Sequence, residues 1–365
     1  MTSAIAKLND YGQSPWYDNL SRTLLQGGGL AKLVSDDGIR GVTSNPTILD
    51  KAIEAGEGYD EQLVQCASDA MSIEDTYWAV VLKDIVAATD VLRPVHDATA
   101  GLDGFVSVEV SPELAHDTDG TKEAARSLFA RVDRPNVMIK IPGTLEGLGA
   151  VEDTIAAGIN VNVTLIFSLE RHARVVDAYL AGLTRLAESG GDLSTVHSVA
   201  SFFVSRVDTE TDRRLPDGHP LRGRAAVANA KLAYELFQER FAGPEWDALA
   251  AKGAHVQRPL WASTSTKNAA YSPTLYVDEL IGPNTVNTMA DASVDALHKG
   301  EGSQRADAVT QGVEEARAAL AGLAEAGVDF TDVTDTLERE GVDSFADSYR
   351  SALDTIEKRR AEIAS

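Results

Sequence analysis

The chain has 365 residues, 44% of them hydrophobic and 24% charged, and its 56 Asp and Glu outnumber 33 Lys and Arg to give a formal net charge of -23. This is an ordinary composition for a globular protein with a sizeable core. So negative a surface excludes nucleic acid and anionic membranes as expected partners, and any anionic substrate would need a locally positive pocket.

From the N-terminus, MTSAIAKLNDYGQ has no apolar core, so no leader is expected. No apolar run approaches the length of a membrane span. The lone cysteine, Cys66, permits no internal disulfide, which fits a reducing, cytoplasmic location. Short β-rich segments then recur in chain order: SPWYDNL, GVTSNPTI, GFVSVEV, NVMIKIP, INVNVTLIF, VHSVASFFVS, VQRPLWAST and NTVNTM. Helical patterns separate most of them. TKEAARSLFARV follows the third, with Thr121 as its expected N-cap. LEGLGAVEDTIAAG follows the fourth, with Leu148, Val151 and Ile155 on one face and Gly158 as the stop. SLERHARVVDAYLAGLTRLAESGG follows the fifth, with Ser168 as N-cap.

Repeated strand–helix units predict a parallel sheet, and eight of them predict an α/β fold closed as a (β/α)8 TIM barrel. The competing open doubly wound sheet would carry a G-x-G-x-x-G turn after its first strand. QGGGL at Gln26 lacks that spacing. A barrel takes about 250 residues, so one domain over 1–365 must carry extras. These fall as a two-helix insertion near 50–100, a polar insertion near 208–224, and C-terminal helices from about 302.

Side chains alternate faces along a strand, and in a barrel one face packs on the helices while the other points inward. By this parity Val106, Val108 and Val110 oppose Ser107 and Glu109. Val137, Ile139 and Ile141 oppose Met138 and Lys140. Val161, Val163 and Leu165 oppose Asn162 and Thr164. Asp18 goes with Trp16, Asn45 with Thr43, and Ser263, Ser265 and Lys267 with Trp261. The apolar sets suit the outer layer, which leaves Asp18, Asn45, Glu109, Lys140, Asn162 and Thr164 as an inward ring near the C-terminal mouth. Singly, a strand lysine can snorkel, and a strand-end Asp, Asn or Thr can be a cap or turn residue. The parity match across strands favours a site.

A dry barrel mouth disfavours an ammonium ion, and a neutral amine attacks a ketone to give a Schiff base. Asp18 and Glu109 could then move protons. The ring holds no histidine, so no metal site and no cofactor is expected. Arg206 after SFFVS, together with Ser265 and Lys267 in WASTSTK, forms a cationic, hydroxyl-rich patch suited to a phosphate monoester. Arg206 has the opposite parity to Ser201, which places it on the following loop or beyond a bulge.

In order, GVTSNPTI, VSVEVSP, NVMIKIPGT, INVNVTLIFS and SFFVSRVD resemble transaldolases, and WASTSTKN and DELIGPNTVNTM look like the longer bacterial and plant-like branch. The resemblance implies a class I Schiff-base enzyme of the pentose phosphate pathway. Such enzymes move a dihydroxyacetone unit from sedoheptulose 7-phosphate to glyceraldehyde 3-phosphate, giving erythrose 4-phosphate and fructose 6-phosphate. It implies that Lys140 forms the Schiff base, Asp18 is the acid/base, and Glu109 and Thr164 position a water. It implies further that Asn45 and Asn162 hold dihydroxyacetone hydroxyls, Ser201 lines the pocket, and Arg206 and Ser265 bind phosphate. Shorter members carry an arginine where this chain has Lys267, which keeps the charge and loses the fork. A fructose 6-phosphate aldolase, or a catalytically silent barrel acting as a binding protein, are the alternatives. Monomer and homodimer are both compatible with the sequence.

Overall fold

A computed structural model describes residues 3–56 and 58–363. Its sheet is the expected closed barrel. The strands are β1 (Gln13–Tyr17), β2 (Gly41–Thr43), β3 (Phe105–Glu109), β4 (Val137–Pro142), β5 (Val161–Ile166), β6 (Ser198–Phe203), β7 (Arg258–Ala262) and β8 (Thr285–Met289). They follow one another around the barrel, and β1 pairs in parallel with β8 to close it. All strand residues but Arg258 are buried, as expected for a sheet covered on its outer face by helices and filled inside by side chains. Among the described residues no helix is long and apolar enough to cross a membrane.

The register sets the site. Glu109 pairs with Lys140, Lys140 with Asn162, and Pro142 with Thr164. Below them, Trp16 lies against Gly41, where an added Cβ would stand 2.3 Å from the indole. β2 therefore begins with glycine because the Trp16 ring occupies the space a side chain would take.

Several expected helix signals hold. Ser168 accepts from Arg171 N and caps the helix Leu169–Glu188. Gly158 takes the left-handed φ of +77° just past Leu145–Ala156. The expectation for Thr121 fails. The helix Thr118–Val132 is capped by Asp117, whose carboxylate accepts from Gly120 N, while Thr121 lies in the first turns and donates to Leu114 O. Between β2 and β3 lie the helices Pro46–Glu54, Asp60–Ser68 and Ile73–Ala98, the first starting ahead of the expected insertion.

Parity fails where chains leave the ladder. Leu165 has φ +60°, and the β5–β6 register shifts between Val163 and Ile166. Leu165 therefore does not continue the Val161 and Val163 row; its side chain lies against Gly341 of the C-terminal helix Phe330–Ile363. Trp261 does not share a face with the serines after it. It packs against Phe202, which in turn meets His172 of an outer helix, and its indole donates to Leu280 O. Ser263, at φ +57°, takes a left-handed conformation just after β7, which ends the strand alternation. The polar stretch near 208–224 is partly helical and partly buried. Its first half belongs to the helix Ser205–Arg214, with Asp208, Glu210, Thr211 and Asp212 buried.

The C-terminal helix lies across the C-terminal end of the barrel. Arg171 ties to its Glu338, Arg214 to Asp332, and Arg350 to Glu113, while Asp50 accepts from Ser351 and Thr355. These anchors come from loops and helices on several sides of the mouth, which fixes the helix over the opening.

Candidate active site

A cavity of about 660 Å³, counting its open mouth, occupies the C-terminal end of the barrel, and Asp18, Asn45, Lys140, Thr164, Ser201, Arg206, Ser265 and Lys267 all border it. Glu109 and Asn162 do not. Glu109 borders a neighbouring cavity beside Asn45, Tyr77 and Asp84. Asn162 is fully buried, with its amide held between Ser107 and Ser201: it donates to Ser107 Oγ at 3.0 Å and accepts from Ser201 Oγ at 2.7 Å.

Lys140 sits at the base of the mouth, 6% exposed. Its Nζ is 3.5 Å from Glu109 Oε2 and 3.4 Å from Ser44 O, with the Phe345 ring centroid at 5.2 Å. The amine is thus flanked by one carboxylate and one aromatic face, and it borders the cavity at the barrel mouth. Burial pushes the Glu109 carboxyl up from its ordinary range. The Lys140 charge opposes that rise, and the Asp18 charge adds to it. Glu109 Oε1 and Thr164 Oγ1 are both buried without a hydrogen-bond partner among the described residues. An orphaned oxygen on the carboxylate beside the amine, and another on a hydroxyl bordering the same cavity as that amine, are what a bound water or substrate hydroxyl would satisfy.

Asp18 follows β1 directly, and its N–H extends the ladder by donating to Met289 O at 2.9 Å. Thr43 Oγ1 donates to Asp18 Oδ1 at 2.7 Å and lies 2.8 Å from Thr288 Oγ1. The carboxylate is therefore aimed by a hydroxyl pair from β2 and β8. Asn45 has two duties. Its Oδ1 accepts from Ile48 N to cap the helix Pro46–Glu54, and its side chain borders the cavity.

Arg206 is neither on a loop nor past a bulge; it lies in the first turn of the helix Ser205–Arg214. That placement reverses the strand parity and turns its guanidinium into the cavity, 5.3 Å from the Phe203 ring. Among the described residues it has no hydrogen-bond or ion-pair partner. Burial holds its pKa below the ordinary arginine value, opposed by the charges of Asp18 and Glu340. Ser265 Oγ is 3.0 Å from Ser293 Oγ, and Lys267 is exposed at the rim.

Sequence reasoning missed Thr43, Phe203, Thr288 and Phe345. Parity puts Thr43 on the face of Asn45 and Phe203 on that of Ser201, so alternation places both inward without giving either a role. Phe345 could not be placed in this way, because a helical pattern does not say which strand end it will cover.

The chain matches the family model described as transaldolase/fructose-6-phosphate aldolase over residues 15–356. It is 52% identical over 353 residues to a transaldolase of Acidothermus cellulolyticus, covering 96% of this chain and 95% of that protein. It is 50% identical over 366 residues to a transaldolase of Thermobifida fusca, covering 99% of each. Transaldolase 1 of Streptomyces avermitilis is 50% identical over 357 residues, covering 96% of this chain and 94% of that protein.

Proposed function

The chain belongs to the transaldolase/fructose-6-phosphate aldolase family, and from its full-length relatives at 50–52% identity, all named transaldolases, we infer that it is a transaldolase, moving a dihydroxyacetone unit between phosphorylated sugars through a Schiff base on Lys140. The observation that carries the reading is the buried Lys140 amine, with a carboxylate at 3.5 Å and a cavity that runs from it to an unpaired arginine. Such a cavity suits a substrate with a carbonyl at one end and a phosphate at the other.

In this reading Lys140 attacks the ketose C2 carbonyl. Glu109 moves protons as the carbinolamine loses water, and the water is held between Glu109 and Thr164, whose orphaned oxygens match that duty. Asp18 then takes the proton of the C4 hydroxyl. The C3–C4 bond electrons flow to the iminium to give an enamine, and an aldose leaves. The enamine attacks the aldehyde of the acceptor, Asp18 returns the proton, and hydrolysis frees Lys140. Asn45 and Asn162 hold the dihydroxyacetone hydroxyls, Ser201 fixes the Asn162 amide, and Arg206, Ser265 and Lys267 receive the phosphate.

Borohydride trapping with fructose 6-phosphate tests the lysine. A reduced adduct on the peptide containing Lys140 is expected, and its absence would count against any Schiff-base route. A coupled assay with and without erythrose 4-phosphate tests the transfer. Equal release of free dihydroxyacetone without acceptor would make the enzyme an aldolase.

A further inference from the structure

We propose that Asp208, Asp212 and Tyr271 are positioning residues that hold Arg206 in register with Ser265 and Lys267, so that the two halves of the anion site meet a phosphate group as one unit. The two halves come from different parts of the chain. Arg206 stands on the helix after β6, and Ser265 and Lys267 on the loop after β7. Neither cation has an ion-pair partner of its own among the described residues, so their separation depends on how helix and loop are joined.

Residues 205, 208 and 212 lie on one face of the helix Ser205–Arg214, at spacings of three and four. Each makes a rung to the β7–β8 connection. Ser205 N donates to Ser263 O at 3.0 Å, and the Ser205 and Ser263 hydroxyls are 2.9 Å apart. Tyr276 donates its O–H to Asp208 Oδ2 at 2.8 Å, and Tyr271 donates to Asp212 Oδ2 at 2.5 Å. The remaining carboxylate oxygens are used too. Asp208 Oδ1 accepts from Ala226 N at 2.8 Å and Asp212 Oδ1 from Gly223 N at 2.9 Å. Gly223 makes room for the tyrosine, because a Cβ there would lie 2.6 Å from Tyr271 Cζ.

Asp208 and Asp212 are 1% and 6% exposed, and neither has a cationic partner among the described residues. Two buried carboxylates satisfied only by neutral donors are a poor way to stabilise a joint that apolar contacts could make. They are a good way to fix it in one geometry, because directional bonds admit one arrangement. This accounts for two of the carboxylates in the polar insertion, Asp208 and Asp212.

The inference rests on the phosphate reading of Arg206, and the experiment separates the two. The full chain is assayed for kcat/KM of the acceptor, with phosphorylated glyceraldehyde 3-phosphate and unphosphorylated glyceraldehyde compared. Because donor and acceptor react in separate half-reactions, this constant reports the acceptor step alone. Tyr271→Phe should lower it about tenfold for the phosphorylated acceptor, through KM, while glyceraldehyde stays within about twofold. Asp212→Ala should do the same or more; if it fails to fold, Tyr271→Phe decides alone. Arg206→Ala is the control for the reading itself. If Arg206→Ala abolishes the phosphate preference and Tyr271→Phe leaves it intact, or weakens both acceptors equally, the positioning role is overturned and the phosphate site stands. If Arg206→Ala leaves the preference unchanged, both are overturned.

Discussion

Replacing Arg206 by alanine should weaken phosphorylated substrates and leave the fold slightly more stable. The guanidinium is largely buried, lacks any partner among the described residues, and has its charged form disfavoured by burial. The Phe203 face at 5.3 Å returns only about 0.5–1 kcal/mol. Because the side chain keeps some solvent, the net stabilisation on its removal is no more than about 1 kcal/mol. Unfolding 365 residues carries an entropy of roughly 0.8 kcal/mol per kelvin, so Tm should rise by about 1 °C. On binding, a charge-assisted bond to phosphate is worth about 2 kcal/mol, which is roughly 30-fold in kcat/KM. Lys267 supplies a point charge at the same mouth and caps the loss near that value. The assays are differential scanning fluorimetry and steady-state rates with glyceraldehyde 3-phosphate. A KM within twofold of the parent enzyme, or a Tm lowered by several degrees, would refute the picture of an unpaired arginine held ready for an anion.

Other outcomes follow from the same geometry. Lys140→Ala should give no borohydride adduct, whereas Asp18→Ala should still form one and turn over about 10²- to 10⁴-fold more slowly; near-normal turnover would remove Asp18 from the acid/base role. Asp208 is pushed up to about 6 by burial, against 3.8 for an ordinary aspartate. Its folded pKa lies above the unfolded value, so the stability it contributes is full below about pH 4 and is lost as pH rises through about 6. The loss is on the order of 3 kcal/mol, or about 4 °C here, so the Tm of Asp208→Asn relative to the parent should rise by that amount between pH 4 and pH 7. Parallel curves for the two proteins would contradict this. Gly41→Ala sets a methyl 2.3 Å from the Trp16 ring and should lower Tm by about 4 °C or more by overpacking the barrel interior; an unchanged Tm would mean that the ring moves freely.

Most of the barrel was legible because its strands are buried on both faces and read as apolar runs with inward polar exceptions. Glu109, Lys140 and Asn162 stand in adjacent register, as parity requires, because β3, β4 and the first half of β5 are regular. Alternation carries this information only while the ladder lasts. It fails at Leu165 and Ser263, both with positive φ, and at Arg206, which a helix turn rather than a strand directs inward. Nothing in the local sequence demands a left-handed leucine. That conformation costs about 1–2 kcal/mol and persists because the C-terminal helix packs Gly341 onto the same side chain.

These failures fall at the mouth, where the ladder ends and tertiary contacts take over. The chemistry proposed for Lys140 needs a rigid row of neighbours, and paired strands supply it. Recognition of a phosphate some distance from that amine needs groups that the strands cannot reach. The helix after β6 and the loop after β7 provide them, and the C-terminal helix covers the amine end with Phe345, each fixed by contacts between residues far apart in sequence. For a chain of net charge -23, this division has an electrostatic consequence. Arg206 and Lys267 border the same cavity as the Lys140 amine, so the proposed phosphate would meet two cationic side chains inside a protein that otherwise repels it. Raising the salt concentration should therefore affect the mouth and the remaining surface in opposite senses, screening attraction at one and repulsion at the other.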